Sequence, residues 1–509
     1  MARVEPNHSG VELLVYADRM GGGLPVLKRL LDGPLRDFSS VHILPFYLPF
    51  DGVDAGFDPI DHSIVDPRLG SWDDIRELAG SRRITADLIV NHVSASSAEF
   101  TDWLQKGGES EFDGMFLTFD TVFPHGGTEH DITAFYRPRP GLPFTSYQGA
   151  DGSRHLVWTT FMPSQVDLDV RNGVALDYLR RILRTLAAGG VGTVRLDAVG
   201  YAVKTPGDES FMTEATLDFV REITAISRAE GLEVLVEVHA HYTQQLAIAP
   251  LVDLVYDFAL PPLLLHSLGT GTVDRLAAWL EIRPQNAVTV LDTHDGIGVI
   301  DAGPSRGVDG LIGTDEMAAI FSRAEAATNG HSAVASVVPA WAPIPHQINA
   351  TFLSVLGADE IAFLLARAVQ LFLPGRPQLY YVGLLGGLDD VALYRRTHNG
   401  RDVNRHYFEP DEIERALHST VTRAQLALVR LRSQHPAFTG TFSWRVLGVD
   451  GLELRWQADV ASAVLTVSTT VGAPGFRIEL VSSGGNGGKH VVLDSPDALA
   501  SFAPPPSVE

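Results

Sequence analysis

Three stretches of the sequence each lead an apolar run into a carboxylate. The stretches are VRLDAVGY at 194–201, VLVEVH at 234–239 and VLDTHDG at 290–296, and their carboxylates are Asp197, Glu237 and Asp295. Apolar runs that end in charge are typical of strands in a parallel (β/α) barrel, where active sites are built at the carboxyl ends. One such carboxylate alone is equally well explained as a structural ion pair. Three together predict an active site for glycosyl transfer.

Asp197 and Glu237 have the placement that retaining glycosyl transfer requires. Neighbouring strands lie about 4.8 Å apart, so carboxylates at matching heights on the fourth and fifth strands approach the ~5–5.5 Å separation of retaining enzymes. Arg195, two residues before Asp197 on the same face, favours an ionised Asp197 as the nucleophile. Glu237, between two valines, is the predicted general acid/base. Asp295 is the predicted stabiliser of the oxocarbenium-like transition state.

Eight strand-like runs, alternating with helical patterns, would position these groups. The runs cover 12–17, 40–47, 84–90, 193–199, 233–238, 253–260, 287–292 and 377–382. Eight is the strand count of a closed barrel, so the sequence predicts an α/β protein with a (β/α)8 TIM barrel.

Two connections and the C-terminal segment depart from this alternation. The connections after the third and seventh strands are much longer than a helical crossover requires, which predicts inserted subdomains. Short alternating runs from 438 onward predict an antiparallel β domain. The predicted domains are barrel segments at 1–90, 172–296 and 358–437, inserted subdomains at 91–171 and 297–357, and the β domain at 438–509.

Composition limits the possible partners. The chain has 62 acidic and 39 basic residues and a formal net charge of −23, which disfavours nucleic acid and anionic membranes. The absence of cysteine excludes disulfides, thiolate metal sites and cysteine nucleophiles. No apolar run reaches the roughly 18 residues of a membrane span, and no signal peptide is evident. We expect a cytoplasmic monomer or homodimer that acts on small molecules without a cofactor.

Five groups of residues, in chain order, resemble the motifs of the alpha-amylase superfamily, glycoside hydrolase family 13. They are Asp87, Asn91 and His92 in DLIVNH, QVDLD at 165–169, Arg195 with Asp197, Glu237, and His294 with Asp295. Within that superfamily, the stretches at 42–62, 136–145, 255–266 and 399–407 resemble the sucrose phosphorylase subfamily. The resemblance covers nearly the whole chain. It implies that Asp197 is glucosylated and that phosphate, itself a substrate, then takes the glucosyl unit with net retention.

The resemblance also implies a glucose-binding shell and no metal. The shell would consist of Asp54, Phe57, His92, Phe161, Gln165, Arg195, Tyr201, His294 and Arg401. By residue type, Asp54 and Arg401 can bond adjacent hydroxyls of a terminal glucose, and Phe57 can stack on its apolar face. For any single aromatic, ordinary core packing is the more common explanation. Many relatives bind calcium through an asparagine like Asn91, but sucrose phosphorylases as a group do not depend on it.

The acceptor loop departs from the pattern of sucrose-using relatives. Those relatives carry an acidic residue and then a tyrosine before a glutamine, whereas here Ile344, Pro345 and His346 precede Gln347. Losing a carboxylate and gaining an imidazole favours a phosphate group in this pocket. The combination resembles relatives that act on sucrose 6F-phosphate. Unselected variation in a variable loop is the alternative.

Two further residues are candidate acceptor or phosphate contacts. Arg139 matches a residue that the family uses as a mobile phosphate ligand. His239 follows Glu237 by two residues on the same side of the strand, so it could face the leaving group or the phosphate. An ordinary surface histidine is the alternative for His239.

The predicted reaction converts sucrose 6F-phosphate and phosphate into α-D-glucose 1-phosphate and D-fructose 6-phosphate through a glucosyl-enzyme. Sucrose phosphorylase is the main alternative, and glucosylglycerol and glucosylglycerate phosphorylases remain open. A hydrolase or transglucosidase would use the same three carboxylates. The presence of all three disfavours a catalytically inactive sugar-binding protein.

Overall fold

The centre of the molecule is a closed barrel of eight parallel strands. The computed structural model describes residues 10–52, 54–136, 141–305, 307–336, 345–482 and 489–502. Each strand pairs with its neighbours in chain order, and the last pairs with the first. The predicted TIM barrel is therefore confirmed. The strands are β1 (Glu12–Val15), β2 (Ser40–Ile43), β3 (Arg83–Ile89), β4 (Val191–Asp197), β5 (Glu233–Val236), β6 (Leu254–Asp257), β7 (Ala287–Thr289) and β8 (Arg376–Tyr380).

Helices cover the outside of the barrel between consecutive strands. In Gly173–Ala188, the buried residues Leu179, Ile182 and Leu186 recur at helical spacing, and Asn172 caps the first turn by accepting a hydrogen bond from the Val174 amide. Such amphipathic helices bury one stripe against the strands. The covering helices are Gly23–Asp32, Trp72–Ala79, Gly173–Ala188, Glu214–Ala229, Tyr242–Ile248, Leu260–Thr270, Asp274–Ile282, Glu360–Phe372 and Thr420–Gln434.

The helix Glu360–Phe372 is buried on almost every side. Asp359 begins it by accepting hydrogen bonds from the amides of Ile361 and Ala362. It packs against the helix Thr420–Gln434 and the C-terminal sheet, which explains why most of its residues are apolar. Among the residues that the structure describes, no helix has the length and apolarity needed to cross a membrane.

The two long connections form the inserted subdomains. The first, between β3 and Gly173–Ala188, contains the helices Ala98–Lys106, Phe119–Val122 and Glu129–Ala134 and the antiparallel strand pairs Phe144–Gln148 with Arg154–Trp158 and His92–Ser94 with Gln165–Asp167. The second, after β7, contains the helices Thr314–Ala327 and His331–Ala335 and the short pair Ile297–Gly298 with Gln347–Ile348, followed by Phe352–Val355. A hairpin of Tyr47–Pro49 and Pro59–Val65 follows β2. These connections all follow carboxyl ends of strands, so they surround the catalytic face.

The C-terminal segment forms an antiparallel sheet of five strands in sequential order, as the alternating pattern predicts. Its strands are β9 (Thr441–Leu447), β10 (Gly451–Gln457), β11 (Ala461–Ser468), β12 (Gly475–Ser482) and β13 (Lys489–Leu493), and the helix Pro496–Ala500 follows. The helices Tyr381–Leu384, Val391–Thr397 and Pro410–His418 lie between β8 and the final barrel helix.

Candidate active site

The carboxyl ends of β4 and β5 bring Asp197 and Glu237 side by side. Asp197 is the last residue of β4, and Glu237 directly follows β5. Because the register pairs Leu196 with Val236, the next residue on each strand carries one of the two carboxylates. Their side chains are only 15% and 13% exposed. Two largely buried carboxyl groups therefore line the same side of the barrel mouth.

Arg195 connects both carboxylates to the barrel interior. Its Nη1 donates to Asp87 Oδ1 at 2.6 Å and to Asp197 Oδ1 at 2.9 Å, and its Nη2 lies 3.9 Å from Glu237 Oε2. Asp87 on β3 also contacts His42 on β2, with 3.1 Å between Oδ2 and Nε2. Because buried charges need partners, this row fixes the orientation of Asp197. The sequence did not identify His42, which gains its partner only when β2 and β3 pair.

The carboxylates around Asp197 affect its protonation. Burial raises the pKa of Asp197, the carboxylates of Glu237, Asp87 and Asp54 raise it further, and Arg195 lowers it, with a net result well above the usual range. Arg195 lies nearer to Asp197 than to Glu237, at 2.9 Å against 3.9 Å, so it is the contact that favours the ionised form of Asp197.

A strained residue turns the chain directly after Asp197. Ala198 has φ of 53°, in the left-handed region that non-glycine residues rarely occupy. Such a conformation costs about 1–2 kcal/mol, and strain of this kind concentrates at functional sites. The turn leads into the short 3-10 helix Val199–Tyr201, which ends at the predicted sugar contact Tyr201.

Asp295 lies in the loop after β7, next to two arginines and a histidine. Arg401 Nη1 is 2.8 Å from its Oδ1, Arg405 Nη2 is 3.7 Å away, and His294 Nε2 is 3.8 Å from its Oδ2. Burial alone would raise the pKa of Asp295, but Arg401, His294, His239 and Arg405 hold it far below its usual range. Asp295 is therefore an anion at any physiological pH. The sequence did not single out Arg405, whose Nε also donates to the His294 carbonyl at 2.8 Å.

The predicted sugar contacts lie together around these three carboxylates. The ring of Phe57 stacks on His294 with centroids 4.9 Å apart and planes 6° apart. His92 donates from Nε2 to the Phe57 carbonyl at 3.0 Å, and burial lowers the pKa of His92, which makes it a neutral donor. The ring centroid of Phe161 lies 5.4 Å from that of His92 and 5.1 Å from that of Tyr201. Imidazole and aromatic rings thus form continuous walls.

Asp54 and Arg401 complete the same pocket. Asp54 Oδ2 accepts a hydrogen bond from Gln165 Nε2 at 2.8 Å. Burial lowers the pKa of Arg401, but Asp295, Asp54 and Glu237 raise it to a net value above the usual range, so these carboxylates surround Arg401. An acceptor and a donor therefore stand near each other at the end of the pocket, where a sugar with adjacent hydroxyls could bond to both.

Of the residues predicted to contact the acceptor, the structure describes some and not others. Gln347 pairs with Gly298 on a two-stranded ribbon that begins two residues after Asp295, and the His346 carbonyl accepts from the Val299 amide at 3.2 Å. The His346 side chain is half-buried, and burial lowers its pKa. Arg139 and Ile344 lie outside the described residues. The loop at 345–348 therefore lies beside the catalytic segment.

His239 contacts both Glu237 and a buried carboxylate that the sequence did not reveal. Its Nε2 is 3.7 Å from Glu237 Oε1, and its Nδ1 is 3.2 Å from Asp301 Oδ2. Asp301 is completely buried, and its Oδ1 accepts from the Ala240 amide at 2.9 Å. Asp301 comes 62 residues after His239 in the chain, so no local pattern could have paired them.

Lys204 fills a cluster of oxygen atoms between the barrel and the first inserted subdomain. Its ammonium contacts Asn91 Oδ1 at 2.8 Å, Asp167 Oδ2 at 2.6 Å and the Tyr201 carbonyl. Carboxylate, amide and carbonyl oxygens are the ligands that calcium prefers. Here the Lys204 ammonium already occupies the space at Asn91. These residues therefore do not fit a metal ion in addition to the ammonium. The sequence did not identify Lys204, because its partners come from three separate segments.

Comparison with known proteins shows close relatives along nearly the whole chain. The chain is 49% identical over 467 residues to the sucrose phosphorylase of Agrobacterium vitis, which covers 91% of this chain and 96% of that protein. It is 45% identical over 504 residues to the sucrose phosphorylase of Bifidobacterium adolescentis, covering 96% and 99%. The crystal structure of sucrose 6F-phosphate phosphorylase from Thermoanaerobacter thermosaccharolyticum matches with a TM-score of 0.89 at 34% identity, covering 96% and 98%. No family model matches the chain.

Proposed function

Because the chain belongs to the sucrose phosphorylase subfamily of the alpha-amylase superfamily, we propose that it moves a glucosyl unit from a sucrose-type glucoside to phosphate. The product is α-D-glucose 1-phosphate, and the anomeric configuration is retained because two displacements occur. The protein's own residues supply all the catalytic groups, and phosphate is a substrate rather than a cofactor.

In the first displacement, Asp197 attacks the anomeric carbon of glucose while Glu237 protonates the departing oxygen. Asp295 holds sugar hydroxyls and stabilises the positive charge that develops on the ring. The product is a glucosyl ester of Asp197. In the second displacement, a phosphate oxygen attacks the same carbon, Asp197 leaves, and Glu237 takes up the proton of the phosphate.

The observation that carries this proposal is the unequal position of Arg195 between the paired carboxylates, at 2.9 Å from Asp197 and 3.9 Å from Glu237. An opposite charge favours ionisation of the nearer group. We therefore assign Asp197 as the nucleophile and Glu237 as the group that protonates the leaving oxygen. Asp54 and Arg401 at the end of the pocket favour a single terminal glucose, and so a disaccharide over a polymer.

We extend the proposal to the leaving group and infer that the preferred substrate is sucrose 6F-phosphate. His346 supports this, since it stands where sucrose-using relatives have a tyrosine and lies beside the segment that carries Asp295. Burial lowers the pKa of His346, so it would act as a neutral hydrogen-bond donor. Arg139 would then supply the positive charge for the fructosyl phosphate.

Sucrose is the second candidate substrate. The two relatives named sucrose phosphorylases are more similar to this chain, at 49% and 45% identity, than the 34% of the phosphorylated-substrate structure. Overall identity and the acceptor loop therefore favour different substrates, and a direct comparison decides between them.

The experiment measures phosphorolysis of sucrose, sucrose 6F-phosphate and glucosylglycerol at saturating phosphate. We expect the highest kcat/KM with sucrose 6F-phosphate. His346→Tyr should reduce that preference about ten- to a hundredfold, because one hydrogen bond to a charged group contributes roughly 1.5–3 kcal/mol. His490→Tyr, on the exposed edge of the C-terminal sheet, is the matched control.

Three outcomes lead to different conclusions. A wild-type preference for sucrose would contradict the phosphorylated substrate and support the second candidate. A preference for glucosylglycerol would contradict both. Release of glucose alone, whether or not phosphate is present, would show a hydrolase and overturn the phosphorylase proposal.

A further inference from the structure

We propose that Asp301 is a positioning residue that keeps His239 positively charged beside Glu237, and that this charge lets an anionic acceptor enter the glucosyl-enzyme. The inference rests on the proposed phosphorylase function. It concerns the second displacement, in which phosphate competes with water for the glucosyl unit.

A positive charge at this position would offset the repulsion between Glu237 and an incoming phosphate. In the second displacement, Glu237 must be a carboxylate in order to take up the proton of the acceptor, and its side chain is largely buried. A phosphate anion must then approach that carboxylate, and two like charges a few ångströms apart repel each other strongly away from bulk water. Water, being neutral, experiences no such repulsion. A fixed cation next to Glu237 would therefore help phosphate specifically.

His239 is placed to be that cation. Its Nε2 is 3.7 Å from Glu237 Oε1 and makes no hydrogen bond within the described structure, while its Nδ1 is directed at Asp301 Oδ2, 3.2 Å away. The imidazole stacks on Phe258 with centroids 3.9 Å apart and planes 16° apart. The ring is thus fixed with one nitrogen toward each carboxylate.

Asp301 is built into the structure for this contact. Its side chain is completely buried, and the Ala240 amide holds its other oxygen. Gly298 packs so closely that a Cβ there would lie 2.0 Å from Asp301 Oδ2 and 3.0 Å from His239 Nδ1. Only glycine leaves room for the pair. A buried carboxylate without such a use would be costly to the fold.

Three carboxylates near His239 favour its protonation. They are Glu237 on its own segment and Asp295 and Asp301 on the segment after β7. Burial lowers the pKa of His239, but Asp301, then Glu237 and Asp295, raise it to a net value above the ordinary one. The imidazolium is therefore present below this raised pKa and is lost as the pH rises through it.

The experiment uses α-D-glucosyl fluoride as donor, because it forms the same glucosyl-enzyme without a protonated leaving group and without any choice of fructosyl substrate. With phosphate present, the ratio of glucose 1-phosphate to glucose reports only how phosphate and water compete. This ratio does not depend on the fraction of folded enzyme. We expect Asp301→Asn to lower it about tenfold at pH 7.5, as expected for losing one nearby charge, and to approach the wild-type ratio near pH 5.5.

Two further variants separate a charge effect from a structural one. His239→Gln should lower the ratio at every pH, and adding Asp301→Asn to it should change nothing more. Asp292→Asn removes another buried carboxylate of the same segment, one that pairs with Arg367 at 3.1 Å, and should leave the ratio unchanged. An equal ratio in wild type and Asp301→Asn at all pH values would overturn the inference. If the wild type forms no glucose 1-phosphate, the proposed function itself is wrong.

Discussion

Asp197 and Glu237 are both acidic, and their surroundings separate their roles. Asp197 accepts a hydrogen bond from Arg195, whereas Glu237 faces Arg195 at a longer distance and His239 at 3.7 Å. Asp295, by contrast, is held as an anion by Arg401 and its neighbours. In the proposed mechanism, these three carboxylates with different partners serve as one nucleophile, one proton carrier and one permanent negative charge.

This division of roles predicts different responses to the leaving group. Glu237→Gln should reduce kcat on the natural glucoside about 10²–10⁴-fold, the usual contribution of a general acid. With α-D-glucosyl fluoride, whose leaving group needs no proton, Glu237→Gln should form the glucosyl-enzyme much faster than it does with the natural glucoside. Asp197→Asn should be inactive with both donors. Pre-steady-state release of fluoride is the measurement, and equal losses for both variants with fluoride would contradict the assignment.

At the scale of secondary-structure elements, Lys204 joins three separate segments of the chain. Asn91 follows β3, Asp167 ends a strand of the first inserted subdomain, and Tyr201 belongs to the turn after Asp197. The ammonium holds the subdomain against the barrel next to the nucleophile. Its charge compensates Asp167, which is completely buried.

Replacing Lys204 should therefore destabilise this junction and create a need for a cation. Lys204→Ala removes the cationic partner of Asp167 and leaves it hydrogen bonds from Thr160 only, which costs about 3–5 kcal/mol for a buried pair. We expect a lower urea midpoint, partly restored by calcium because the vacated oxygens suit that ion. Wild-type stability and activity should not change with calcium or a chelator.

The matched control for this prediction is Lys28→Ala. Lys28 forms an exposed pair with Asp32 at 2.9 Å, and such pairs contribute only about 0–1 kcal/mol. Inactivation of the wild type by a chelator, or an unchanged midpoint in Lys204→Ala, would show that the ammonium does not substitute for a metal.

At the scale of the whole molecule, the C-terminal sheet stabilises the barrel by packing against helices on its outer side. Trp456 on β10 donates from Nε1 to the Phe372 carbonyl at 2.6 Å. Its ring lies 5.6 Å from Phe438 and 5.0 Å from the guanidinium carbon of Arg432. The helix Glu360–Phe372 is mostly apolar because it is enclosed between this sheet and the barrel.

Trp456→Ala should reduce the free energy of unfolding by about 3–5 kcal/mol, as large-to-small core substitutions do. The kcat at 25 °C should not change, because the tryptophan lies in another domain from the catalytic carboxylates. Trp456→Phe keeps most of the packing and should cost about 1 kcal/mol for the lost hydrogen bond. Urea unfolding followed by circular dichroism tests this, and two separate transitions in the wild type would contradict coupled unfolding.

The sequence alone determined the barrel, its eight strands and the C-terminal sheet, because hydrophobic periodicity is a local property of the chain. It also identified Asp197, Glu237 and Asp295 as candidates, since each ends a strand in the same way. Within a barrel, residues at equivalent strand ends must meet at one face. The family followed from short motifs of the same kind, such as the one that contains Asp87 and His92.

Only the tertiary structure decided which other charges accompany these residues. His42, Lys204, Asp301 and Arg405 are distant in sequence from their partners, and each looks like an ordinary polar residue in its own segment. Their roles arise from desolvation and from distances of about 3 Å that exist only after the loops pack. The carboxylates at the strand ends can therefore be predicted from the sequence. The electrostatic environment that distinguishes them is a property of the folded protein.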